Sequence, residues 1–197
     1  MISNLVGLLI TPEQQWHSVR EESRQGYTGL LHTLLLAAVP AVAGYIGAVH
    51  IGWSIGAAPT QYLTGDSALL IFIPCYFAQI IIILALSRAI HWMAQTYDSN
   101  PAKSQSMAIA AYSATPLFLA GLAGLYPSLW LFMLVGLLAI CHSIYLLYTG
   151  VPIVMNITKE QGFVFSSAIL TVGLVMMVGL IVVTVISWSF GLTPVFT

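Results

Sequence analysis

The chain has 197 residues, of which 59% are hydrophobic and only 6% are charged, whereas soluble domains carry about 25% charged residues. This composition excludes a soluble globular protein and predicts one that crosses a membrane several times. Lys and Arg total 5 against 6 Asp and Glu, so the chain has no basic surplus with which to neutralise phosphates. Nucleic acid is therefore excluded as its main partner, and the lipid bilayer is expected to surround it.

The first 28 residues are predicted to form a helical segment at the cytosolic membrane surface, separate from a transmembrane domain over residues 29–197. Four apolar residues recur there at helical spacing and suit the membrane interface: Ile2, Leu5, Val6 and Leu9. Thr11-Pro12-Glu13-Gln14 is typical of a helix start, with a Thr cap, Pro at the first helical position and Gln at the capping-box position. We expect a cytosolic helix from Pro12 to about Gly26.

Five apolar segments are each long enough to cross the bilayer: Leu30–Ile51, Ala68–Met93, Met107–Leu125, Leu129–Tyr148 and Ser167–Trp188. About 20 residues at 1.5 Å each span a hydrocarbon core of about 30 Å. Only residues 126–128 separate the third segment from the fourth, so these two should form an antiparallel hairpin. The sequence therefore predicts an all-α polytopic bundle of five transmembrane helices.

Basic residues predict the orientation of these spans. All of them fall on one side of the five segments: Arg20, Arg24, Arg88, Lys103 and Lys159. On the other side, Asp66 is the only charged residue. Because basic flanks remain in the cytosol during insertion, we expect a cytosolic N-terminus and a C-terminus on the outer side.

Glu13, His17 and Glu21 are spaced four residues apart, so they share one face of the cytosolic helix. A histidine between carboxylates is a weak candidate for a divalent-metal or proton site. A solvated or ion-paired face is preferred, and no metal or other cofactor is expected. The acids should pair with cations on the same side and thereby lock the cytosolic ends of the spans: Arg20, Arg24, Lys103 and Lys159.

Prolines interrupt the interiors of three spans, at Pro40, Pro74 and Pro116. Tolerated kinks are the simplest interpretation. The alternative is that the segment 112–116 opens a polar pocket, as discontinuous transporter helices do. The side chains of such an intramembrane site would be Tyr112, Ser113, Thr115 and His142.

Small residues repeat every four positions along the first span and its outer extension: Gly44, Ala48, Gly52 and Gly56. Such a stripe lets two helix backbones approach closely. An internal neighbour is the preferred partner of this stripe, and a homodimer seam is the alternative.

Four motifs distributed along the chain support a family resemblance: Pro12-x-x-x-Trp16-x-x-Val19-x-Glu21, Gly52-Trp53-x-x-Gly56, Tyr112-Ser113-Ala114-Thr115-Pro116-Leu117-Phe118 and Tyr148-Thr149-Gly150-Val151-Pro152. With them, nearly the whole chain resembles the bacterial branch of the Yip-one-domain family. These are small five-span inner-membrane proteins, distantly similar to eukaryotic Golgi proteins that interact with Rab GTPases. The resemblance implies a multi-pass bacterial inner-membrane protein with a cytosolic N-terminus, so the C-terminus would be periplasmic. It assigns no functional residue.

Two functional hypotheses remain. The sequence contains no nucleophile elbow, intramembrane aspartate pair or phosphate-binding Gly-rich loop, so an enzyme is not expected. The preferred hypothesis is a non-catalytic scaffold or protein-interaction module that presents residues 12–25 and 95–106 to a cytosolic or membrane protein. The alternative is a small permease or channel for a cation, such as a divalent metal, or for a small solute, alone or as a homo-oligomer.

The orientation is tested with alkaline-phosphatase fusions, which are active only outside the cytosol. Fusions after residues 60, 127 and 197 should be active, and fusions after residues 100 and 158 should be inactive, because the latter two positions lie in the basic flanks. An active fusion after residue 100 or 158 contradicts the predicted topology.

Overall fold

The computed structural model describes residues 7–8, 11–26, 28–54, 59–97, 99–189 and 193–196. The described part contains seven α-helices: α1 Pro12–Gln25, α2 Thr28–Ile46, α3 Gly65–Ala94, α4 Lys103–Ser113, α5 Thr115–Ala120, α6 Leu129–Met155 and α7 Lys159–Ser189. A π-helical turn, Gly47–Ile51, extends α2, and a 3₁₀ turn, Gly121–Leu125, extends α5. Five candidate membrane spans result, since α4, α5 and the 3₁₀ turn form one of them. The predicted all-α bundle of five spans is confirmed.

Helix α1 begins at Pro12, the residue at which the sequence predicted a helix start. The predicted capping box is wrong, because the Thr11 hydroxyl accepts no hydrogen bond from the first turn. Instead it donates to the carbonyl of Gly7 at 3.4 Å, and the Thr11 N–H donates to the same carbonyl at 2.7 Å. The Gly7 carbonyl, on the N-terminal side of Thr11, thus takes the hydroxyl that would otherwise cap the helix. The apolar face predicted over residues 2–9 lies almost entirely outside the described residues.

Helix α4 lies at the centre of the bundle. It packs on α1, α2, α3 and α6, and 61% of the most apolar stretch of its span is buried, against 28% or less in every other span. Alanines at 108, 110 and 111 let neighbouring helices approach this position closely, and all three are buried. The remaining spans expose most of their side chains to the surroundings, as lipid-facing helices do.

Helix α1 is fastened to this centre through Trp16, which is fully buried. The Trp16 ring covers Gly150 of α6, where a Cβ atom would overlap it. It also meets the Tyr112 ring of α4 edge to face, with ring centroids 6.5 Å apart. Nearby, Nη1 of Arg20 donates to the carbonyl of Ile153 in α6 at 3.2 Å. The segment predicted to lie at the membrane surface is therefore part of the packed bundle.

Close backbone contact joins α2 to the 3₁₀ turn after α5. A Cβ at Gly121 would overlap the Pro40 ring, and one at Gly47 would overlap the Gly124 carbonyl. Small residues at these positions let the two segments touch without intervening side chains, which is the usual basis of helix association in lipid. These glycines hold α2 against the second part of the third span, in the half of the bundle away from α1.

The predicted small-residue stripe is only partly a helix contact. Gly44 packs inside the protein, because a Cβ there would overlap the Phe72 ring of α3. The carbonyl of Ala48 accepts the Leu63 N–H at 3.0 Å, and Gly52 has a φ of 75°, which favours glycine. Gly56 lies outside the described residues. The described contacts favour an internal neighbour and give the homodimer seam no support.

Helices α6 and α7 extend well beyond the predicted apolar segments. The predicted loop over residues 149–166 is wrong, because α6 continues to Met155, α7 begins at Lys159 and only three residues connect them. Asn156 permits this short link by adopting a left-handed conformation at the end of α6. Hydropathy marks only the lipid-immersed part of a helix. At 1.5 Å per residue these helices measure roughly 40 and 46 Å, longer than the core of about 30 Å.

Two ends of the bundle can be distinguished. We call one the α1 end; it contains α1 and the connections 95–102 and 156–158, which meet where the Ser99 hydroxyl donates to the Met155 carbonyl at 3.0 Å. At the opposite end, residues 193–196 return to the start of α3. There the Thr64 N–H donates to the Val195 carbonyl at 3.1 Å, and the Val195 N–H donates to the Ser67 hydroxyl at 3.0 Å.

Replacing Gly121 with alanine should lower thermal stability in detergent, because the new methyl group overlaps Pro40 and forces the backbones apart. The expected loss is about 1–3 kcal/mol, the usual cost of overpacking. Gly136→Ala is the matched control, since a Cβ at that position meets nothing within 4 Å. Equal melting temperatures for the two variants would show that the Gly121 contact is unimportant.

Candidate functional site

The third span breaks within the segment that the sequence singled out. Helix α4 ends at Ser113 and α5 begins at Thr115, with Pro116 in its first turn. Pro116 lacks an N–H to donate to the Tyr112 carbonyl, and its ring crowds that carbonyl. Helices α2 and α3, by contrast, continue through their own prolines. Of these three spans, only the third, which is the most buried, is interrupted at its proline.

His32 of α2 reaches this break. Its Nε2 lies 2.8 Å from the Thr115 hydroxyl, and both residues are fully buried. Its ring also lies over the Tyr112 ring at a centroid distance of 4.3 Å. We call His32, Tyr112, Thr115 and Trp16 the His32 cluster. The four residues come from α1, α2, α4 and α5.

The sequence located Tyr112 and Thr115 but missed His32 and Trp16 as their neighbours. The signal that could have found His32 is the tendency of intramembrane polar residues to pair with one another. That tendency identifies no partner, because the sequence does not specify which helices touch. His142, which was expected in the site, lies against Tyr145 of its own helix at a centroid distance of 6.1 Å. Within the described structure, no hydrogen bond satisfies its buried Nε2.

Several buried polar atoms around α4 have no hydrogen-bond partner among the described residues: Nδ1 of His32, Nε1 of Trp16, and the hydroxyls of Ser106 and Ser113. Either tautomer of His32 leaves its Nδ1 without a protein partner, since only Nε2 meets Thr115. Buried polar groups are normally satisfied by protein or by water. The region around the break thus has hydrogen-bonding capacity that the described protein atoms leave unused.

Glu13, His17 and Glu21 are all exposed on the side of α1 that faces away from Trp16. Glu21 forms an ion pair of 3.9 Å with Arg24. Both side chains are more than half exposed, so this pair contributes about 0–1 kcal/mol. Across the residues that the structure describes, no group of three or more His, Cys, Asp or Glu side chains could hold a metal ion.

The expected lock between the helix ends is not formed by the described residues. Arg20 donates to a backbone carbonyl of α6, and the ion pair between Glu21 and Arg24 is internal to α1. Lys103 and Lys159 are exposed. The prediction erred because α1 turns its acids outward when it buries Trp16, so they point away from the helix ends.

Two open grooves flank α2, with volumes of about 380 and 330 Å³. The first lies between α2 and α3 and is lined by apolar and aromatic side chains such as Ala38, Val42 and Phe72. The second shares Ala38 and Val42 and ends at Leu122 and Leu125. Both are open apolar grooves on the lipid-facing side, so they give no support to a polar pathway for an ion or solute.

Comparison with known proteins identifies relatives over almost the whole chain. The sequence profile of the Yip1 domain matches residues 6–191. The chain is 37% identical over 193 residues to the inner membrane protein YohC of Escherichia coli K12, covering 96% of this chain and 98% of that protein. The same identity and coverage apply to YohC of E. coli O6:H1 strain CFT073. No solved structure matches the chain.

Replacing Thr115 with valine should destabilise the protein, because it leaves His32 Nε2 buried without a partner. The expected loss is about 1–3 kcal/mol, measured as a lower melting temperature in detergent. Thr115→Ser keeps the hydroxyl and should stay close to wild type. A valine variant as stable as wild type would contradict the prediction, because valine keeps the methyl group and removes only the hydroxyl that His32 contacts.

Proposed function

Because the chain belongs to the Yip1-domain family of multi-pass inner membrane proteins, we propose that it is a non-catalytic membrane scaffold whose helix α1 binds a protein partner. In the orientation that the basic residues predict, α1 faces the cytosol and the C-terminus is periplasmic. The observation that carries the proposal is the division of α1 into a buried face and an exposed charged face.

The buried face of α1 is committed to the protein core. Trp16, Val19 and Ser23 are at most 1% exposed and recur at spacings of three and four residues. A free amphipathic helix would place such a face in the lipid. Here the bundle occupies it, which fixes the position of the polar face and leaves that face available to another molecule. A fixed surface reduces the entropy lost on binding.

The exposed face of α1 is acidic. Glu13, Glu21 and Glu22 are exposed, whereas Arg24 is the only exposed arginine of the helix because Arg20 turns towards α6. Three exposed acids less one exposed arginine give a formal charge of −2. This face therefore suits a partner with a basic surface, and like-charge juxtaposition would disfavour acidic partners.

The proposal assigns no reaction to the protein. Among the residues that the structure describes, the buried His32 is paired with a hydroxyl and no cluster of His, Cys, Asp or Glu forms. It also leaves the permease hypothesis aside, because the cavities beside α2 are apolar. Flux of metal ions or osmolytes in proteoliposomes would contradict a purely non-transporting scaffold.

Site-specific photocrosslinking in native membranes tests the proposed surface. A crosslinker at position 17, on the exposed face, should give a discrete protein adduct. The double variant Glu13→Arg and Glu21→Arg should reduce the adduct yield about tenfold or more, because charge reversal repels a basic partner.

Glu160→Arg is the matched control, since Glu160 is also exposed at the α1 end but lies on α7. A crosslinker at Trp130, an exposed residue near the start of α6, controls for random contact. The proposal fails if position 17 gives no adduct, or if its adduct persists after charge reversal.

A further inference from the structure

The five basic side chains fall into two groups. Arg20 and Arg24, both on α1, are engaged by the protein. Arg88, Lys103 and Lys159 are exposed, and they make no side-chain hydrogen bond or ion pair within the part of the chain that the structure describes. These three cations lie on α3, α4 and α7, all at the α1 end of the bundle.

Arg88 differs from the two lysines because it lies within a candidate membrane span, six residues before α3 ends at Ala94. A guanidinium presents five donors in a planar fork and remains charged at any physiological pH. At this depth such a group needs an acceptor, and its long stem allows the charge to reach the headgroup level. A phosphate matches the fork with two parallel hydrogen bonds.

An apolar stripe on α3 leads to Arg88. Phe77, Ile81 and Leu84 are exposed at helical spacing on the face that continues through Arg88 to Trp92. Trp92 is 72% exposed, and exposed tryptophans of this kind mark the membrane interface. From Arg88 to Phe77 the helix rises about 16 Å, which matches half of a core of about 30 Å. The stripe is therefore about as long as the hydrocarbon layer of one leaflet is thick.

Two further cations lie at the same end of the bundle, on helices that pack against α3. Helix α3 packs on both α4 and α7, which begin at this end with Lys103 and Lys159. The exposed Glu160 is the acid adjoining Lys159 in the chain. Asp98 is the acid in the connection between α3 and α4. Three cations less these two acids give a formal charge of +1, in contrast to the acidic exposed face of α1.

We propose that Arg88 binds the phosphate of an anionic glycerophospholipid in the leaflet on the α1 side of the membrane. Lys103 and Lys159 add long-range attraction for the negative headgroup. One acyl chain lies along the stripe formed by Leu84, Ile81 and Phe77. Two features of Arg88 distinguish this occupant from bulk lipid. Among the residues that the structure describes, Arg88 has no acidic partner, so its guanidinium can accept a phosphate as its counter-ion. Arg88 also continues an apolar stripe one leaflet long. The site is independent of the partner of α1.

Native mass spectrometry of the full-length protein, titrated in detergent with phosphatidylglycerol or phosphatidylcholine, tests this site. Wild type should bind phosphatidylglycerol more tightly. Arg88→Gln should weaken phosphatidylglycerol binding about fivefold, the factor that corresponds to roughly 1 kcal/mol per basic residue at an anionic surface. Arg88→Lys should retain most of the preference. Arg24→Gln is the matched control and should bind as wild type, because Arg24 already pairs with Glu21.

Equal binding of the two lipids by wild type overturns the proposal, as does a loss with Arg24→Gln as large as the loss with Arg88→Gln. Glycerol 3-phosphate separates a lipid site from a site for a free phosphate: competition at millimolar concentration overturns the assignment to lipid, and its absence supports it. If Arg88→Gln does not fold, the wild-type protein alone still tests whether an anionic lipid is preferred. Phosphatidylglycerol should then raise its melting temperature more than phosphatidylcholine does, and an equal rise overturns the proposal.

Discussion

The burial of Tyr112 at the centre of the bundle is the contact on which the other features depend. Its ring meets Trp16 of α1 on one side and His32 of α2 on another, and the helix break follows it within the same span. One aromatic residue thus connects α1, the first span and the interrupted third span. Such a junction can form only because α4 is rich in alanine and admits four neighbouring helices.

Docking of α1 also determines where charge lies on the surface. Burying Trp16 turns the acids of α1 outward, and Arg20 turns inward towards the Ile153 carbonyl. The basic residues at the ends of α3, α4 and α7 are left without those acids as partners. A side of the protein that is nearly neutral by residue count is therefore divided into an acidic surface suited to a basic protein and a basic surface suited to anionic lipid.

The broken third span illustrates how similar motifs can serve different purposes. Discontinuous helices in transporters direct free backbone groups towards a cavity. Here the break is filled by the His32 cluster, whose members contact one another through a hydrogen bond, a tilted ring pair and an edge-to-face ring pair. The two cavities described above lie beside α2 and are apolar. The interruption consequently supports packing and polar pairing in the bundle, and the scaffold interpretation accounts for it without a transport pathway.

The sequence by itself determined the number of spans and the start of α1, because apolar run length and helix-start chemistry are local properties. It marked residues 112–116 as the alternative site of a break but could not distinguish Pro116 from Pro40 and Pro74, because a proline removes a hydrogen bond in each helix and only the third span is interrupted. Only the tertiary structure decided that His32 meets Thr115, that Gly121 meets Pro40, and that α6 and α7 extend beyond the apolar segments. The reason is that lipid-facing and helix-facing apolar surfaces have the same hydropathy. Shape complementarity between helices selects the partners, and it emerges only when the helices are assembled.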